Sequence, residues 1–273
     1  MHVVKRNGER EPVSFDRILE RLVTLASVVA APLDRVDCAL VAQKTIQGLR
    51  DGVTTEELDV LAAETAAYLA TTEPEYGDLA ARIVVSNLHK QTPHELVECL
   101  RRSDLDPAVV AFAEAHATEL QAALKHDRDF AFSYFGFKTL ERSYLRRDAE
   151  GKIVERPQCM YMRVALGIHA AAGDLDAVLE TYEALSAGEV THATPTLFNS
   201  GTRQAQMASC FLMQMPADSI DGIFEAITWC GKISKHAGGI GISASNVRAK
   251  GSRIRGSGGV SNGLVPMFQV LDR

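Results

Sequence analysis

Apolar residues recurring every three or four positions organise residues 1–90. Val3 and Val4 precede Asn7-Gly8, a two-residue turn signal, and the chain returns through Val13, so a hairpin is predicted over 2–14. Pro12 has no N–H to donate and confines the returning strand to an edge. Ser14 can cap a helix starting at Phe15, with Asp16 favourably placed in its first turn. Ile18, Leu19, Leu22, Leu25 and Ala26 form one apolar face of that helix. A second helix is predicted over about 36–49, ending before Asp51-Gly52. Thr54 and Glu57 make a capping box for a third, running to about Leu69. Pro74 opens a fourth that carries Leu79, Ile83, Val84 and Leu88 to Lys90. The pattern is a β hairpin, or a small sheet, on a four-helix bundle.

Pro93 and the charged stretch to Asp106 read as a connector. Helices are predicted at about 107–125, 157–172 and 174–187. Between the first two lies DRDFAFSYFGFKTLERSYL, which holds six of the 17 aromatic residues and reads as a packing knot rather than a base-stacking surface. THATPTLFNSGT reads as a polar turn and ASCFLMQM as a short buried strand. Asp218 is placed to cap a helix from Ser219 to about Lys235. The fold class is mainly α, of the α+β kind.

Composition narrows the chemistry. At 273 residues and 46% hydrophobic content the chain can bury one large core or two smaller ones. A net charge of −6 supplies no global field for nucleic acid or membrane. The charge is uneven, however: residues 226–271 hold six Lys or Arg and no acid. Such a concentration on an acidic protein suits a small anionic ligand better than a long polyanion. No apolar run of about 18 residues exists, and the charged N-terminus lacks a signal-peptide core. The five cysteines are widely spaced without a C-x-x-C pair, which argues against a zinc ribbon and fits a reducing, cytoplasmic location.

The stretch KHAGGIGISASNVRAKGSRIRGSGGVSNG, residues 235–263, holds eight glycines and five cations. Gly239 to Ala244 fits G-x-G-x-x-A, but a helix precedes it and no acid follows before Asp272, so a dinucleotide fold is not indicated. Gly251 to Gly256 has Walker spacing with Ser257 where lysine is needed. The remaining readings are a surface loop or a cradle in which bare backbone and Lys235, Arg248, Arg253 or Arg255 approach phosphates. HELVE at 94–98 is half a zinc-protease helix and reads as a solvated face. His192 reads as a turn histidine, and Cys38, Cys99, Cys159 and Cys230 as structural thiols. Cys210 follows Ser209 at the start of an apolar strand, where a thiol can sit at the rim of a pocket.

Seven stretches carry a family likeness. VVKRNGEREPVSFDRI, DGVTTEELDVLAAETAAYL and YGDLAARIVVSNLHK resemble the ATP-cone, a nucleotide-sensing module. DRDFAFSYFGFKTLERSYL, ATPTLFNSGT, ASCFLMQMPADSIDGIFEAI and SKHAGGIGISASNVRAKGSRIRGSGGVSNGLVPM resemble the large (α) subunit of class I ribonucleotide reductase, most like the eukaryotic type. The resemblance implies an ATP-cone activity domain over 1–92 and a helical region over 93–190. It also implies that 191–273 begins a ten-stranded α/β catalytic barrel, here truncated.

The implied reaction replaces the 2′-hydroxyl of a ribonucleoside diphosphate with hydrogen, using a thiyl radical and a cysteine pair that gives two electrons and becomes a disulfide. Cys210 matches the first member of that pair, and Thr194 and Ser209 match substrate-holding positions. Asp218, Ser219 and Ile220 match residues around the sugar and base of a specificity effector, a dNTP or ATP. Lys235 and Arg248 match its phosphate-side contacts, and Arg255 and Gly256 the loop backbone around it. Lys5, Arg6, the run Glu11, Pro12, Val13, Ser14, Phe15, Asp16 and Arg17, with Thr55, Asp59 and Lys90, fall where the cone holds ATP or dATP. Pro12 and Ser14 depart from the usual run without removing a cation.

Mg2+ accompanies these nucleotides, and no metal is expected on protein ligands of this chain. The implied partners are a second copy through the helix after Asp218, a small subunit that supplies the radical, and thioredoxin or glutaredoxin. The radical-bearing cysteine and the second reducing cysteine do not occur before Arg273, so this chain by itself is expected not to turn over. The alternative from another class is a freestanding nucleotide-sensing regulator; such a regulator would carry the zinc ribbon that the cysteine spacing lacks.

Overall fold

The computed structural model describes residues 1–27, 31–236 and 238–272, which form two compact units. The first comprises residues 1–191 with 201–203, the second residues 192–200 and those from 204 onward.

The first unit opens with β1 (His2–Val4) antiparallel to β2 (Arg10–Pro12), in the register His2↔Pro12 and Val4↔Arg10. The strands stop short of the expected two-residue turn, so the connection spans residues 5–9. Lys5 N donates to Glu9 O and Gly8 N to Lys5 O, with Gly8 at φ +86°. A third strand, β3 (Val53–Thr54), pairs parallel to β1 and gives the order β2-β1-β3. Pro12 therefore lies on an edge strand, as its missing N–H requires.

Four helices back this sheet: α1 (Phe15–Ser27), α2 (Cys38–Gln47), α3 (Thr55–Leu69) and α4 (Glu75–His89). Their core includes Leu22, Val41, Ala63, Ala66, Leu79 and Ile83. The capping box forms as the spacing predicts. Thr54 Oγ1 accepts from Glu57 N at 3.1 Å, and Glu57 Oε2 accepts from Thr54 N at 2.9 Å. Buried Arg82 closes the far end of α1 by donating to the carbonyls of Leu25, Ala26 and Ala31 at 2.9, 3.0 and 2.6 Å. The first two are carbonyls that a helix end leaves without an intrahelical partner, and the third lies in the chain that follows α1.

The expected connector at 93–106 instead contains α5 (Leu96–Arg102), whose apolar residues Leu96, Cys99 and Leu100 are buried. Their spacing of three and four was masked by the surrounding charges. The helix expected at 107–125 breaks at His116 (φ −116°, ψ 27°) into α6 (Pro107–Ala115) and α7 (Ala117–Ala123). A 3-10 turn at His126–Ala131 leads to α8 (Tyr134–Thr139), which runs into a π turn at Leu140–Tyr144. The aromatic segment packs largely as a knot. Phe137 is fully buried and Phe130, Phe132, Tyr134 and Tyr144 lie against the same core as α4, while Phe135 is 82% exposed. α9 (Pro157–His169) and α10 (Leu175–Ser186) complete the unit around Leu120, Met162, Leu166 and Tyr182.

The second unit begins with α11 (Thr194–Asn199), where the sequence suggested only a polar turn; Pro195 occupies its first turn, where a missing N–H costs nothing. β4 (Cys210–Gln214) pairs in parallel with β5 (Gly239–Ser243) across α12 (Ile220–Lys235), a βαβ unit. The strand β5 replaces the loop expected from its glycines. Met215, Ala226, Ala244 and Met267 form the small core, the last from α13 (Val265–Leu271). β4 is not the buried strand that its apolar sequence suggests. Cys210, Leu212 and Gln214 face outward and Leu212 is 92% exposed, because no described element packs over that face of the strand.

Candidate functional site

Three helix ends meet under the hairpin. The β1–β3 pairing brings the N-terminus of α3, with Thr55 and Asp59, to the edge of the sheet beside β1, while residues from β2, the N-terminus of α1 and Lys90 just after α4 line the rest of the cleft. The resulting cleft is lined by Arg6, Glu11, Pro12, Val13, Ser14, Arg17, Thr55, Asp59 and Lys90 among the residues singled out above. Lys5, Phe15 and Asp16 do not line it, although Lys5 Nζ reaches Glu11 Oε2 at 2.7 Å. Sequence reasoning missed Arg21, Val3, Ile18 and Leu58, which also line the cleft. Arg21 follows Arg17 by four residues on α1, a spacing that places both on one helix face and could have revealed it.

The electrostatics centre on Asp59, which is 5% exposed. Arg21 binds it through two bonds, Nε to Oδ1 at 2.7 Å and Nη2 to Oδ2 at 3.0 Å. Arg6 Nη2 and Lys90 Nζ approach the same carboxylate at 3.5 and 3.7 Å. Burial lowers the Lys90 pKa, the Asp59 charge opposes that shift, and Arg21 and Arg6 reinforce it. At the rim, Arg17 Nη1 contacts Glu11 Oε2 at 2.5 Å; the hydrogen bonds from Arg17 and then Lys5 hold the Glu11 carboxyl below the usual range. Four lining cations thus face two carboxylates, an excess of positive charge in a partly desolvated cleft. Ser14 Oγ accepts from Arg17 N at 3.4 Å, so α1 points its positive end at the same space.

The second unit has its own cleft, between the start of α12 and the loop after β5. Asp218, Ser219, Ile220 and Arg248 line it, joined by Ile223, Val247, Ile254, Ser261, Gly263 and Met267, which sequence reasoning did not name. Ser219, not Asp218, caps α12: its Oγ accepts from Gly222 N at 3.1 Å. Asp218 instead accepts from Arg248 Nε at 2.7 Å, and its carbonyl accepts from Arg248 Nη2 at 3.1 Å. Arg248 also donates to Arg253 O at 3.3 Å, so one guanidinium fastens the loop to the helix start. Lys235, Arg255 and Gly256 are exposed and lie outside this cleft; Gly256, at φ +89°, serves the loop's turn.

The thiol of Cys210 is exposed at the first residue of β4, beside exposed Ser209. Gly239 stands opposite in register, and a Cβ there would come within 3.5 Å of Cys210 Sγ, so glycine leaves space beside the sulfur. Thr194, exposed, opens α11, which is tied to the approach to Ser209 by Thr196 Oγ1 to Met207 O (3.2 Å) and Asn199 Nδ2 to Gln206 O (2.7 Å). Cys99 and Cys159 are fully buried, Cys38 is buried, and Cys230 is half-buried on α12.

A sheet-and-helix unit with a cationic cleft, a helical region and a βαβ unit with an exposed thiol define a mainly helical α+β protein. The family model described as ATP cone domain matches residues 1–91, that of the ribonucleotide reductase all-alpha domain matches 130–205, and that of the ribonucleotide reductase barrel domain matches 208–273. The chain belongs to the ribonucleotide reductase large-subunit family. It is 51% identical over 286 aligned positions to the ribonucleoside-diphosphate reductase large subunit of Dictyostelium discoideum, covering 100% of this chain and 32% of that protein. It is 49% identical to the large subunit of Arabidopsis thaliana and 48% to that of Vaccinia virus, covering 100% of this chain and 34% and 36% of theirs. The chain therefore spans about a third of the length of the curated relatives it matches.

Proposed function

We propose that this chain is the N-terminal, nucleotide-responsive part of a ribonucleoside-diphosphate reductase large subunit. The whole protein would reduce ribonucleoside diphosphates to their deoxy forms by thiyl-radical chemistry. The observation that carries the reading is the gathering of Arg6, Arg17, Arg21 and Lys90 at three helix ends around Asp59 and Glu11. A triphosphate entering this cleft replaces the carboxylates as partner of the cations, while the positive end of α1 adds to the attraction. The ligand is ATP or dATP with Mg2+, which screens the phosphates from Asp59 and Glu11.

The cleft at Asp218, Ser219, Ile220 and Arg248 takes a second effector, a dNTP. There the apolar side chains of Ile220, Ile223 and Met267 offer a face for a base. Lys235 and the Arg255–Gly256 turn reach the phosphates or a partner copy's effector. Cys210 is one half of the reducing pair, with Thr194 and Ser209 orienting the substrate. Its exposure supports this role, since a thiol that must meet a ribose and later be re-reduced cannot be sealed in a core.

The domain limits that go with this reading are 1–92, 93–190 and 191–273. Partners are a second copy of the chain, packed through the open apolar face of α12 that includes Ile220 and Phe224, a radical-supplying small subunit, and thioredoxin or glutaredoxin. The location is cytoplasmic; no helix among the described residues is long and apolar enough to cross a membrane.

Titration calorimetry with ATP, dATP and dTTP tests the reading. Two classes of site are expected, one restricted to adenine nucleotides and abolished by Arg6→Ala with Lys90→Ala, the other accepting dTTP and weakened by Arg248→Ala. Absence of any adenine-nucleotide binding, or its survival in the cone variant, overturns it.

A further inference from the structure

The last turns of α4 are held from two sides. Facing the cleft, Ser86 Oγ lies 3.4 Å from Arg21 Nη2, Asn87 Oδ1 accepts from Arg6, and Lys90 Nζ stands 3.7 Å from Asp59. On an adjacent face of the helix His89 Nε2 meets Asp129 Oδ2 at 2.7 Å. Arg156 Nη2 donates to the carbonyls of His89 and Thr92 at 2.8 and 3.0 Å, and its Nε to Thr92 Oγ1 at 3.0 Å. Asp129 is fully buried in the 3-10 turn that opens the aromatic segment, and its ion-pair partner is His89. His89 falls within the matched cone and Asp129 immediately before the matched all-alpha domain, so this contact ties the cone to the segment that leads into that domain.

We infer that the His89–Asp129 contact, with Arg156 clamped over the end of α4, passes the state of the cationic cleft to the aromatic segment 130–145. A triphosphate competes with Asp59 and Asn87 for Arg6, Arg21 and Lys90. Those releases act on Ser86, Asn87 and Lys90, which belong to one stretch of helix with His89. That stretch moves as a body because its backbone bonds, including Lys90 N to Ser86 O at 3.3 Å and Thr92 N to Leu88 O at 3.1 Å, fix each residue to the turn before. A shift on the cleft side therefore appears on the His89 side, where a buried charged partner cannot be exchanged for water. Beyond it Phe137 and Leu145 share a core with Leu79, Ile83 and Leu88 of α4, so the segment has a packed surface on which to register the change. His89 and Asp129 are positioning residues; neither lines the cleft.

The inference rests on the reading of the cleft as a triphosphate site, and the test separates the two. Amide exchange of the whole chain is followed by mass spectrometry with and without ATP, for the wild type and for Asp129→Asn and His89→Gln. Both substitutions keep approximate size while altering the His89–Asp129 contact, and circular dichroism reports which variants fold. ATP is expected to slow exchange at 129–145 in the wild type. Each variant is expected to bind ATP within about threefold of wild type, since neither position lines the cleft, yet to lose at least about half of that slowing. Undiminished slowing in a folded variant overturns the inference, as does a wild-type chain that binds ATP without slowing at 129–145. A wild-type chain that does not bind ATP overturns the triphosphate reading and the inference with it.

Discussion

Arg21 and Asp59, 38 residues apart, form a two-pronged ion pair that ties α1 to the first turns of α3. The fork of the guanidinium matches the carboxylate, and Arg6 and Lys90 share the same acceptor. Arg21→Ala is expected to weaken ATP binding about tenfold by calorimetry, and to lower stability by about 1 kcal/mol in urea unfolding. The loss is limited because two other cations still face Asp59. Arg21→Lys restores the charge without the fork and is expected to recover only part of the affinity. Unchanged affinity in both variants removes Arg21 from the site.

Gly222, in the first turn of α12, admits no side chain. A Cβ there would lie 2.6 Å from Ala217 O and 2.7 Å from Ala217 N, both backbone atoms. Gly222→Ala must displace the 217–219 turn that carries Asp218, at a cost of about 1–3 kcal/mol. The expected readout is a lowered unfolding midpoint of the second unit together with weaker dTTP binding, while ATP binding to the cone is retained.

Glu183 supplies an acid-limb test. Hydrogen bonds from Arg128 and then Lys125 lower its pKa to about 2 from 4.5. A carboxylate depressed in the folded state stabilises above its unfolded pKa, and that contribution is lost as pH falls from about 4.5 through about 2. The pair is half-exposed, so the effect is under about 1 kcal/mol. The thermal midpoint of Glu183→Gln is expected below that of wild type at pH 7, with the gap narrowing as pH falls below about 4.5 and closing only below about 2. A constant gap across that range contradicts the assignment.

The cysteines differ in accessibility enough to be ranked by alkylation. Cys210 is exposed, Cys230 half-buried, and Cys99 and Cys159 fully buried. The hydrogen bond that the Cys99 thiol makes to Cys159, followed by burial, pushes Cys99 well above its ordinary pKa. Brief iodoacetamide treatment of the folded chain, read by peptide mass spectrometry, is expected to label Cys210 first, Cys230 more slowly, and Cys99 and Cys159 only after unfolding. Early labelling of Cys99 or Cys159 contradicts the packing of α5 on α9.

By itself the sequence determined the local features. The capping box at Thr54 and Glu57, the helix starts at Phe15 and near Pro74, the edge position of Pro12, and the basic, glycine-rich character of 235–263 are properties of neighbouring residues, and neighbours are what a linear pattern records. Which of these features meet depends on packing across the chain. Arg21 carries no signal apart from its spacing to Arg17; it joins the cleft because β1 pairs with a two-residue strand 50 positions away, too short to announce itself. Asp218 looked like a helix cap and became the partner of Arg248, because the neighbouring Ser219 satisfies the helix end and the returning loop brings a guanidinium to the vacated carboxylate. The same limit hid the exposure of β4 and the His89–Asp129 contact. Burial and ion pairing depend on what lies across space, and that is settled by chain closure rather than by order along the chain.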